Sequence, residues 1–326
     1  MPRRSGGSAV VTTGRRIPGL AAGAFVVGEA LVDVTVGVDG VVHRRPGGSP
    51  MNVAFGLARM GVPTRLMSSL GDDADGRMVA AHLRAAGVKL DDVSVLPGTV
   101  TSTALARLDD AGAATYEFDL RWDLPGEGGG VPSGYGVLHT GSIAAVLLPG
   151  ADRVLGLYTS APEEVVRSFD PNVRPAITPD REAVLDRVEQ FVARTDVLKL
   201  SDEDAAWLHP GKGEAYVADW ALARGVKLFV MTRGARGCTV VTPSHRIVQA
   251  AVTTHVVDTI GAGDAFMSAL LAGLSRWGLF GALRRDDVGA GDLSRLAALA
   301  SRAAALTVAQ VGAQPPTWSQ VRSAAA

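Results

Sequence analysis

The segment DTIGAGD, at positions 258–264, contains the residues whose types and spacing most clearly suggest chemistry. Gly261, Ala262 and Gly263 have small side chains or none, so their backbone N–H groups could approach a phosphate at the start of a predicted helix. Asp264 would lie beside these amides, where the positive end of the helix dipole favours an ionised carboxylate. Such a carboxylate could accept the proton of a hydroxyl that attacks a phosphoryl group. The segment therefore predicts an anion hole and a general base.

The same four letters, GAGD, recur at positions 289–292, and their flanks distinguish the two copies. The first copy follows the strand-like run VTTHVV and precedes the apolar run AFMSALLAGL, whereas the second follows the charged run RRDDV. We predict that Asp292 in the second copy only caps the last helix. For Asp264 in the first copy, helix capping is the alternative to a catalytic role. The chain contains no GxxxxGK(S/T) motif, so a P-loop enzyme is excluded.

A second polar segment, GGSPMNVAFGLARMG, begins at Gly47. Ser49 and Pro50 fit the N-cap and first-turn positions of a predicted helix. Capping does not explain the glycine pair Gly47-Gly48, nor Asn52, which is a polar side chain in the first turn of an apolar helix. We interpret Asn52 as a contact for a polyol.

A carboxylate upstream of this segment fits the same ligand. Asp33 comes at the end of the apolar run AFVVGEALVDV, residues 24–34, which predicts a buried strand. Ligands of open α/β sheets bind at the carboxyl ends of the strands, and one carboxylate can accept two neighbouring hydroxyls. The alternative is that Asp33 is a turn residue.

The elements that must position these residues follow from periodicity. Alternating valines around the turn Asp39-Gly40 predict a β-hairpin, and a second hairpin is predicted over residues 103–118 with its turn at 110–112. Two half-buried hairpins in an α/β chain suggest a small β-sheet lid, with strands from about 34–46 and 98–122.

From about residue 135 onwards, apolar strands alternate with helices, which predicts a mainly parallel sheet covered by helices. The helices are predicted at 180–194, 214–224, 264–276 and 293–309. Residues 1–22 contain four arginines and no acid, and without the apolar core of a signal peptide they are expected to form a disordered tail. Residues 23–326 are expected to form one α/β domain.

The composition limits the class of partner. The chain has 326 residues with 32 Lys and Arg against 33 Asp and Glu, so it lacks the basic surface expected for nucleic-acid or membrane binding. The single cysteine, Cys238, excludes an internal disulfide framework and suits the cytoplasm. No apolar run is long enough to cross a bilayer, and the six histidines lack the spacing of a zinc site. We therefore expect a small-molecule partner.

Taken in order along the chain, GGSPMNVAFGLARMG and DTIGAGDAFMSALLAGL resemble the two signatures of the ribokinase-like (PfkB) carbohydrate kinases. The resemblance covers essentially the whole chain after residue 22 and implies a three-layer α/β sandwich with a mainly parallel sheet and a β-sheet lid. It implies that Asp264 is the catalytic base and that 261–263 form the anion hole. The sugar contacts that it implies are Asp33, Gly47, Gly48 and Asn52.

The resemblance also extends to the nucleotide side. KLSDEDAAWL is similar to the segment that contacts phosphate and water-bound Mg²⁺ in the family, with Ser201 and Asp204 at places usually held by Asn and Glu. VMTRGARGC resembles the loop that binds ATP and implies contacts from Thr232 and Gly234. VAQVGAQPP resembles the segment that completes a monovalent cation site beside Asp258, so that K⁺ is expected from the resemblance alone.

The identity of the sugar is left to other residues. FDPNVRP, HTGSIAAVL and GEALVDV look most like bacterial fructokinases, with 2-keto-3-deoxygluconate kinases close behind. Arg174 could reach substrate or phosphate, and Arg107 could provide the fork that an acidic sugar needs, although it could also be a surface residue. Phe118 is expected to close over the sugar and exclude water.

We therefore predict a cytoplasmic ATP-dependent sugar kinase, most similar to fructokinases, that uses ATP and Mg²⁺ and forms a homodimer through exposed lid edges. The alternatives are a 2-keto-3-deoxygluconate kinase, another sugar or nucleoside kinase, and a sugar sensor without catalysis. The intact Asp264 motif argues against the sensor.

Overall fold

A computed structural model describes residues 23–108, 114–124 and 130–323 of the chain. The expected N-terminal tail, residues 1–22, and the turn predicted at 110–112 lie outside these ranges. Within them, helices and strands alternate as the periodicity predicts.

The strands are short and mostly apolar, and the first one begins at residue 23, the first residue that the structure describes. Their bounds are β1 (Gly23–Val27), β2 (Leu31–Val36), β3 (Val42–Gly47), β4 (Thr64–Met67), β5 (Leu70–Gly71), β6 (Lys89–Leu90), β7 (Val95–Leu96), β8 (Thr103–Leu108), β9 (Ala114–Asp119), β10 (Tyr135–Gly141), β11 (Val166–Asp170), β12 (Val197–Ser201), β13 (Leu228–Thr232), β14 (Cys238–Val241) and β15 (Arg246–Gln249).

The helices lie between these strands and after the last of them. Their bounds are α1 (Ser49–Arg59), α2 (Ala74–Ala85), α3 (Gly150–Ser160), α4 (Arg181–Val192), α5 (Asp202–Leu208), α6 (Glu214–Ala223), α7 (Ala262–Arg276), α8 (Phe280–Arg284), α9 (Ala290–Val308) and α10 (Trp318–Ser323).

The central sheet has the strand order β15-β14-β13-β12-β11-β10-β1-β4-β6. Its strands run parallel from β6 to β13, and β14 and β15 extend it as antiparallel strands. Because a parallel sheet needs helical crossovers on its faces, its strands are apolar on both sides. The mainly parallel sheet that the sequence predicted is confirmed.

Alternating side chains divide the interior into two cores. Along β1, Ala24 and Val26 face the helices α1, α2 and α7–α10, whereas Phe25 and Val27 face α3–α6. Successive side chains of a strand point to opposite faces, so one apolar strand supplies both cores. The result is the predicted three-layer sandwich, with helices on each side of the sheet.

A second sheet of four strands, which we call the small sheet, has the order β3-β2-β8-β9. The pairs β2–β3 and β8–β9 are antiparallel, as two hairpins require, and β2 and β8 run parallel to join them. In the first hairpin, Gly37 N donates to Val41 O at 2.9 Å, which closes the turn around Asp39-Gly40. The predicted hairpins are therefore present as strands of one separate sheet.

The continuous strand predicted over residues 24–34 is interrupted. β1 ends at Val27 and β2 begins at Leu31 in the other sheet. At the break, Gly28 lies against the ring of Pro50, where a β-carbon would overlap it. The apolar pattern gave no sign of this corner, because strands that are buried in different sheets are equally apolar.

Two further sequence predictions were wrong in their detail. The run VTTHVV, residues 252–257, is not a strand, because the sheet ends at β15 and the valines of the run are exposed. Asp292 does not cap α9: the N-cap is Gly289, and Asp292 pairs with Arg295 within the first turn at 3.0 Å. α9 is also followed by α10.

Candidate active site

The proposed base lies in the first turn of a long helix. The N-cap of α7 is Gly261, whose φ of 76° is in the left-handed region, and a β-carbon there would overlap Ala313. Asp264 follows in the first turn and is only 7% exposed. The first turn of a helix leaves N–H groups without intrahelical acceptors, so α7 presents backbone donors next to the carboxylate. The helix predicted over 264–276 is therefore present, and it begins two residues earlier, so that Asp264 lies in its first turn.

Both carboxylate oxygens of Asp264 are held by the first turn of α1. Ser49 Oγ donates to Oδ1 at 2.7 Å, and Asn52 Nδ2 donates to Oδ2 at 2.8 Å. Asn52 was expected to touch a polyol, and in this structure its amide instead orients the carboxylate. Ser49 was expected to be an N-cap, and it is the first residue of the helix after the N-cap Gly48.

Burial is the main influence on the charge of Asp264 and raises the pKa of its carboxyl above the ordinary value. The hydrogen bonds from Ser49 and Asn52 and the positive charges of Lys199 and Arg174 act in the opposite direction. A carboxylate with a raised pKa is a stronger proton acceptor than one in water, provided that it stays ionised.

The chain approaches α1 through the glycine pair. A β-carbon at Gly47 would overlap the carboxylate of Asp33, and one at Gly48 would lie 2.6 Å from the carbonyl oxygen of Glu29. Gly48 also has a φ of 108°, which other residues rarely adopt. The predicted glycines therefore bring the backbone close to Asp33 and set the start of α1.

Asp33 lies on β2 of the small sheet and is close enough to Asp264 for their charges to interact. Burial raises the pKa of Asp33 to about 6. The positive charge of Arg174 lowers this pKa, and the negative charge of Asp264 raises it further. Arg174 is itself exposed, donates to the Val173 carbonyl at 3.1 Å, and acts on both carboxylates through its charge. The structure thus brings Asp33, Asp264 and Arg174 into one electrostatic environment.

Strand register decides which small-sheet residues share the face of Asp33. Arg45, Asp33, Ala104 and Phe118 are register partners across the four strands, so their side chains lie on one face. Phe118, which is 38% exposed, therefore lies on the expected side. This face borders a cleft whose other wall is formed by residues 260 and 312–313.

Arg107 does not join this group. It is an odd number of residues from Ala104 along β8 and so lies on the other face of the small sheet. Its guanidinium pairs with Glu117 at 3.3 Å, and both side chains are more than half exposed. The expectation that Arg107 contacts substrate is not supported by this placement, because the pleat of β8 directs it away.

A buried ion pair lies beside the segment that is expected to form the anion hole. Lys199 Nζ contacts Asp170 Oδ2 at 2.7 Å, and the two side chains are 4% and 1% exposed. Nζ is also 3.4 Å from the point where a β-carbon of Gly263 would lie. Burial lowers the pKa of Lys199, but the carboxylates of Asp170, Asp204 and Asp264 raise it on balance, so the ammonium is charged.

The residues expected on the nucleotide side lie at the carboxyl ends of neighbouring strands. Ser201 ends β12 and Thr232 ends β13, and the two are register partners. Gly234 opens an exposed 3₁₀ turn just after β13. This is the edge at which open α/β sheets bind ligands.

Ser201 and Asp204 are nevertheless engaged with each other. They form a capping box at the start of α5, and Oδ2 of Asp204 accepts the Ser201 N–H at 2.9 Å. Oδ1 of Asp204 accepts the backbone N–H of Val173 at 2.8 Å. Both oxygens of this carboxylate therefore already have donors within the chain, which shows a structural role for Asp204 at the start of α5.

Asp258 joins its own segment to residues 308–312, and these two segments were expected to form a cation site. Its Oδ1 accepts the N–H of Ile260 at 3.0 Å, and its Oδ2 accepts the N–H of Gly312 at 2.8 Å. Its own N–H lies 3.2 Å from the carbonyl oxygen of Val308. Within the described ranges, no group of three or more His, Cys, Asp or Glu side chains is placed to hold a metal ion.

Two residues of this region were missed by sequence reasoning. Ser49 was assigned to capping, and Lys199 was given no role. A lysine inside the apolar strand VLKLS is the signal that could have identified Lys199, because buried charges usually have a partner.

The chain matches the family described as pfkB family carbohydrate kinase over residues 23–122 and 137–320. It is 33% identical to a fructokinase of Escherichia coli over 311 residues, which cover 90% of this chain and 95% of the relative.

Two solved structures share the fold. The structure of a fructokinase from Xylella fastidiosa with bound ATP has a TM-score of 0.80 at 22% identity, covering 93% of this chain and 98% of that one. A fructokinase double mutant from Vibrio cholerae O395, with fructose, ADP and potassium ion bound, has a TM-score of 0.77 at 24% identity with the same coverage. These likenesses confirm the predicted three-layer fold with its small sheet.

Proposed function

The chain belongs to the pfkB family of carbohydrate kinases and is an ATP-dependent sugar phosphotransferase, and we propose that its sugar is fructose, which it converts to fructose 6-phosphate. The observation that carries the proposal is the buried carboxylate of Asp264, which lies in the first turn of α7 and shares its electrostatic environment with Asp33 on the small sheet. The E. coli relative that covers nearly the whole chain is a fructokinase, which supports the choice of sugar.

In the proposed reaction, Asp264 accepts the proton of the sugar hydroxyl. The hydroxyl oxygen then forms a bond to the γ-phosphorus of ATP while the bond to the bridging oxygen breaks, and ADP leaves. Each carboxylate oxygen has two acceptor positions, so the hydrogen bonds from Ser49 and Asn52 leave room for this proton. The backbone N–H groups of residues 261–263 and the ammonium of Lys199 stabilise charge on the transferred group.

The sugar contacts are assigned to the face of the small sheet that borders the cleft. Asp33 accepts two neighbouring hydroxyls, and Gly47 and Gly48 allow the backbone to approach the ligand. Phe118 covers the sugar when the small sheet closes as a lid, and Arg174 contributes positive charge. Exclusion of water by this closure would limit hydrolysis of ATP.

The nucleotide is assigned to the loops after β12 and β13, with contacts from Thr232 and Gly234. Ser201 and Asp204 support this loop by capping α5. When bound, Mg²⁺ would neutralise phosphate charge during transfer. In such sites it is held largely by substrate phosphates, and Asp170 offers a buried oxygen, Oδ1, that has no hydrogen-bond partner within the described residues.

A monovalent cation, K⁺, is assigned to the backbone carbonyls around residues 258 and 308–312. Asp258 already ties these two segments together, and the V. cholerae fructokinase with the same fold contains a potassium ion. We further propose a cytoplasmic location and a homodimer formed through the edges of the small sheet. No helix in the described ranges is long and apolar enough to span a membrane.

The function is tested with a panel of fructose, ribose, adenosine and 2-keto-3-deoxygluconate, in which ADP release and the phosphorylated product are both measured. We expect fructose to give the highest kcat/KM. Replacing Asp264→Asn should lower kcat roughly 10³-fold, because a general base contributes about 10²–10⁴-fold, while fructose affinity by calorimetry stays nearly constant. Binding of fructose without turnover by the wild type would instead indicate a sensor, and a preference for adenosine would indicate a nucleoside kinase.

One observation favours a second candidate, a kinase of an acidic sugar such as 2-keto-3-deoxygluconate. Arg45 lines the cleft on the same face as Asp33, and no carboxylate within the described ranges forms an ion pair with it. Its neighbour Arg44 faces away and pairs with Asp75. If the substrate is acidic, Arg45→Ala should raise its KM roughly tenfold or more, and Arg44→Ala should not. Equal effects of the two variants would count against this candidate.

A further inference from the structure

The hydroxyl of Ser49 lies at the reacting carboxylate, a place that helix capping does not explain. The N-cap of α1 is Gly48, and Ser49 follows it as the first helical residue, 8% exposed. Its Oγ is 2.7 Å from Asp264 Oδ1, across 215 positions of sequence. This distance is in the short range expected when a hydroxyl donates to an ionised carboxylate.

Ser49 and Asn52 act on the carboxylate as a pair. They are three residues apart on α1, so their side chains lie on one face of the helix. Each donates to a different oxygen of Asp264, at 2.7 and 2.8 Å. Two hydrogen bonds to two oxygens fix the rotation of the carboxylate plane, and each oxygen keeps one further acceptor position for the substrate proton.

Resting on the proposed role of Asp264 as base, we propose that Ser49 is a positioning residue of the phosphoryl transfer. Its hydroxyl holds the carboxylate in the orientation that receives the substrate proton and selects its ionised form. A hydroxyl that donates to an oxygen stabilises a negative charge on that oxygen, so its loss should make protonation of Asp264 easier. The hydrogen bond from Ser49 is the largest of the influences that lower the pKa of Asp264.

Other charged groups act on Asp264, and all of them remain when Ser49 is changed. Lys199 on β12 and Arg174 after β11 favour its ionised form, whereas Asp33 on β2 and Asp170 on β11 are negative neighbours. A change in the pH dependence of Ser49→Ala therefore reports the loss of the hydroxyl itself.

The test measures the single-turnover rate of sugar phosphorylation from about pH 5.5 to pH 9 for the wild type and Ser49→Ala. We expect the acid limb of the pH–rate profile, in which the rate falls as the pH is lowered, to move to higher pH. The variant should be roughly tenfold slower than the wild type at pH 6 and within about threefold of it at pH 9. Sugar affinity should change little. Ser49→Thr, which keeps a hydroxyl, should restore the wild-type profile.

Ser268 provides a matched control in the same helix pair. It is a buried serine of α7 that packs against Gly56 of α1 and donates to the Ala265 carbonyl, and no hydrogen bond among the described residues joins it to Asp264. Ser268→Ala should keep the wild-type acid limb. If Ser49→Ala is too unstable to assay, Ser49→Cys preserves the side-chain size with a weaker donor and should shift the acid limb in the same direction.

Two results would overturn the proposal. The first is that the acid limb of Ser49→Ala lies at the same pH as that of the wild type. The second is that Ser49→Ala loses the same fraction of its rate at every pH, and that Ser268→Ala shows the same loss. The proposed function is tested separately in the same assay. If the wild type does not phosphorylate a sugar, or if Asp264→Asn retains its rate, then the assignment of the base fails, whatever Ser49 does.

Discussion

At the scale of single residues, the site depends on acidic groups that burial makes harder to ionise. Burial raises the pKa of Asp33 to about 6 and raises that of Asp264 above its ordinary value. Asp33 lines the cleft and Asp264 is the proposed base, and each must be ionised to accept a hydrogen bond or a proton from a sugar hydroxyl. Sugar phosphorylation should therefore fall as the pH drops through about 6, because the carboxylate of Asp33 becomes protonated. The raised pKa of Asp264 acts in the same direction.

Glu29 is a third buried carboxyl, and it has a structural effect that can be measured. It is 4% exposed, its Oε2 accepts the N–H of Ala144 at 3.1 Å, and burial raises its pKa to about 8. The folded state therefore binds a proton that the unfolded chain releases above about pH 4.5. Stability from this group is complete below that pH and is lost as the pH rises through 8.

Glu29→Gln should remove this dependence, because an amide keeps an acceptor oxygen but never ionises. At about pH 9 we expect the variant to be more stable than the wild type by roughly 2–4 kcal/mol, and at about pH 5 nearly equal. Urea unfolding at the two pH values measures the difference. The exposed Glu163→Gln is the control and should leave stability unchanged at both. A stability gain of Glu29→Gln that is the same at pH 5 and pH 9 would contradict the assignment.

At the scale of elements, the site is assembled where α1 meets α7. The first turn of α1 supplies Ser49 and Asn52, and the first turn of α7 supplies Asp264. The backbone conformation at Gly48 sets how α1 begins, because its φ of 108° directs the chain past the Glu29 carbonyl into the helix. A shift of this turn should move both donors together.

Gly48→Ala tests this dependence. A β-carbon would meet the Glu29 carbonyl and would be strained at this φ, so we expect a loss of about 1–3 kcal/mol in unfolding free energy together with a fall in kcat. Thermal unfolding and steady-state kinetics provide the measurements.

A glycine that lacks these constraints provides the comparison. Gly156 lies in the exposed interior of α3 with no atom within 4 Å of a β-carbon position, so Gly156→Ala should be neutral or stabilise by up to about 1 kcal/mol. Full activity and stability in Gly48→Ala would show that the turn is not needed to place α1.

At the scale of the whole molecule, the cleft lies between the small sheet and the loops at residues 260 and 312–313. The chain passes from β1 of the central sheet to β2 of the small sheet across residues 28–30, and it returns from β3 to α1 at 47–48. The small sheet lies over residues 260 and 312–313 and has exposed valines at its first hairpin. A ligand held by Asp33 on one side and Asp264 on the other would join these two parts.

Hydrogen exchange should detect this closure. Fructose together with ADP is expected to slow amide exchange in β2, β3 and β8, while the strands β11–β13, which are already buried, change little. Asp33→Asn should largely remove the fructose-dependent protection, because the variant loses the charged acceptor for the sugar hydroxyls. Protection limited to the loops after β12 and β13 would show nucleotide binding without closure of the small sheet.

The sequence alone determined the class of fold and the reaction, because both depend on local patterns. Apolar strands alternating with helices predict a parallel sheet, and a glycine-rich turn followed by an aspartate at a helix start predicts an anion site with a base. The two paired motifs identified the family, and the position of Asp264 in the first turn of α7 followed from its own neighbours in the chain.

The partners of those residues were decided only by the tertiary structure. Ser49 and Asp264 are 215 positions apart, and the hydrogen bond between them exists because α1 packs on α7. Likewise, the pleat of β8 turned Arg107 away, and a corner at Gly28 divided one apolar run between two sheets. Local periodicity specifies which faces are apolar, but strand register and helix packing decide which polar side chains meet, and these arise from contacts between distant segments.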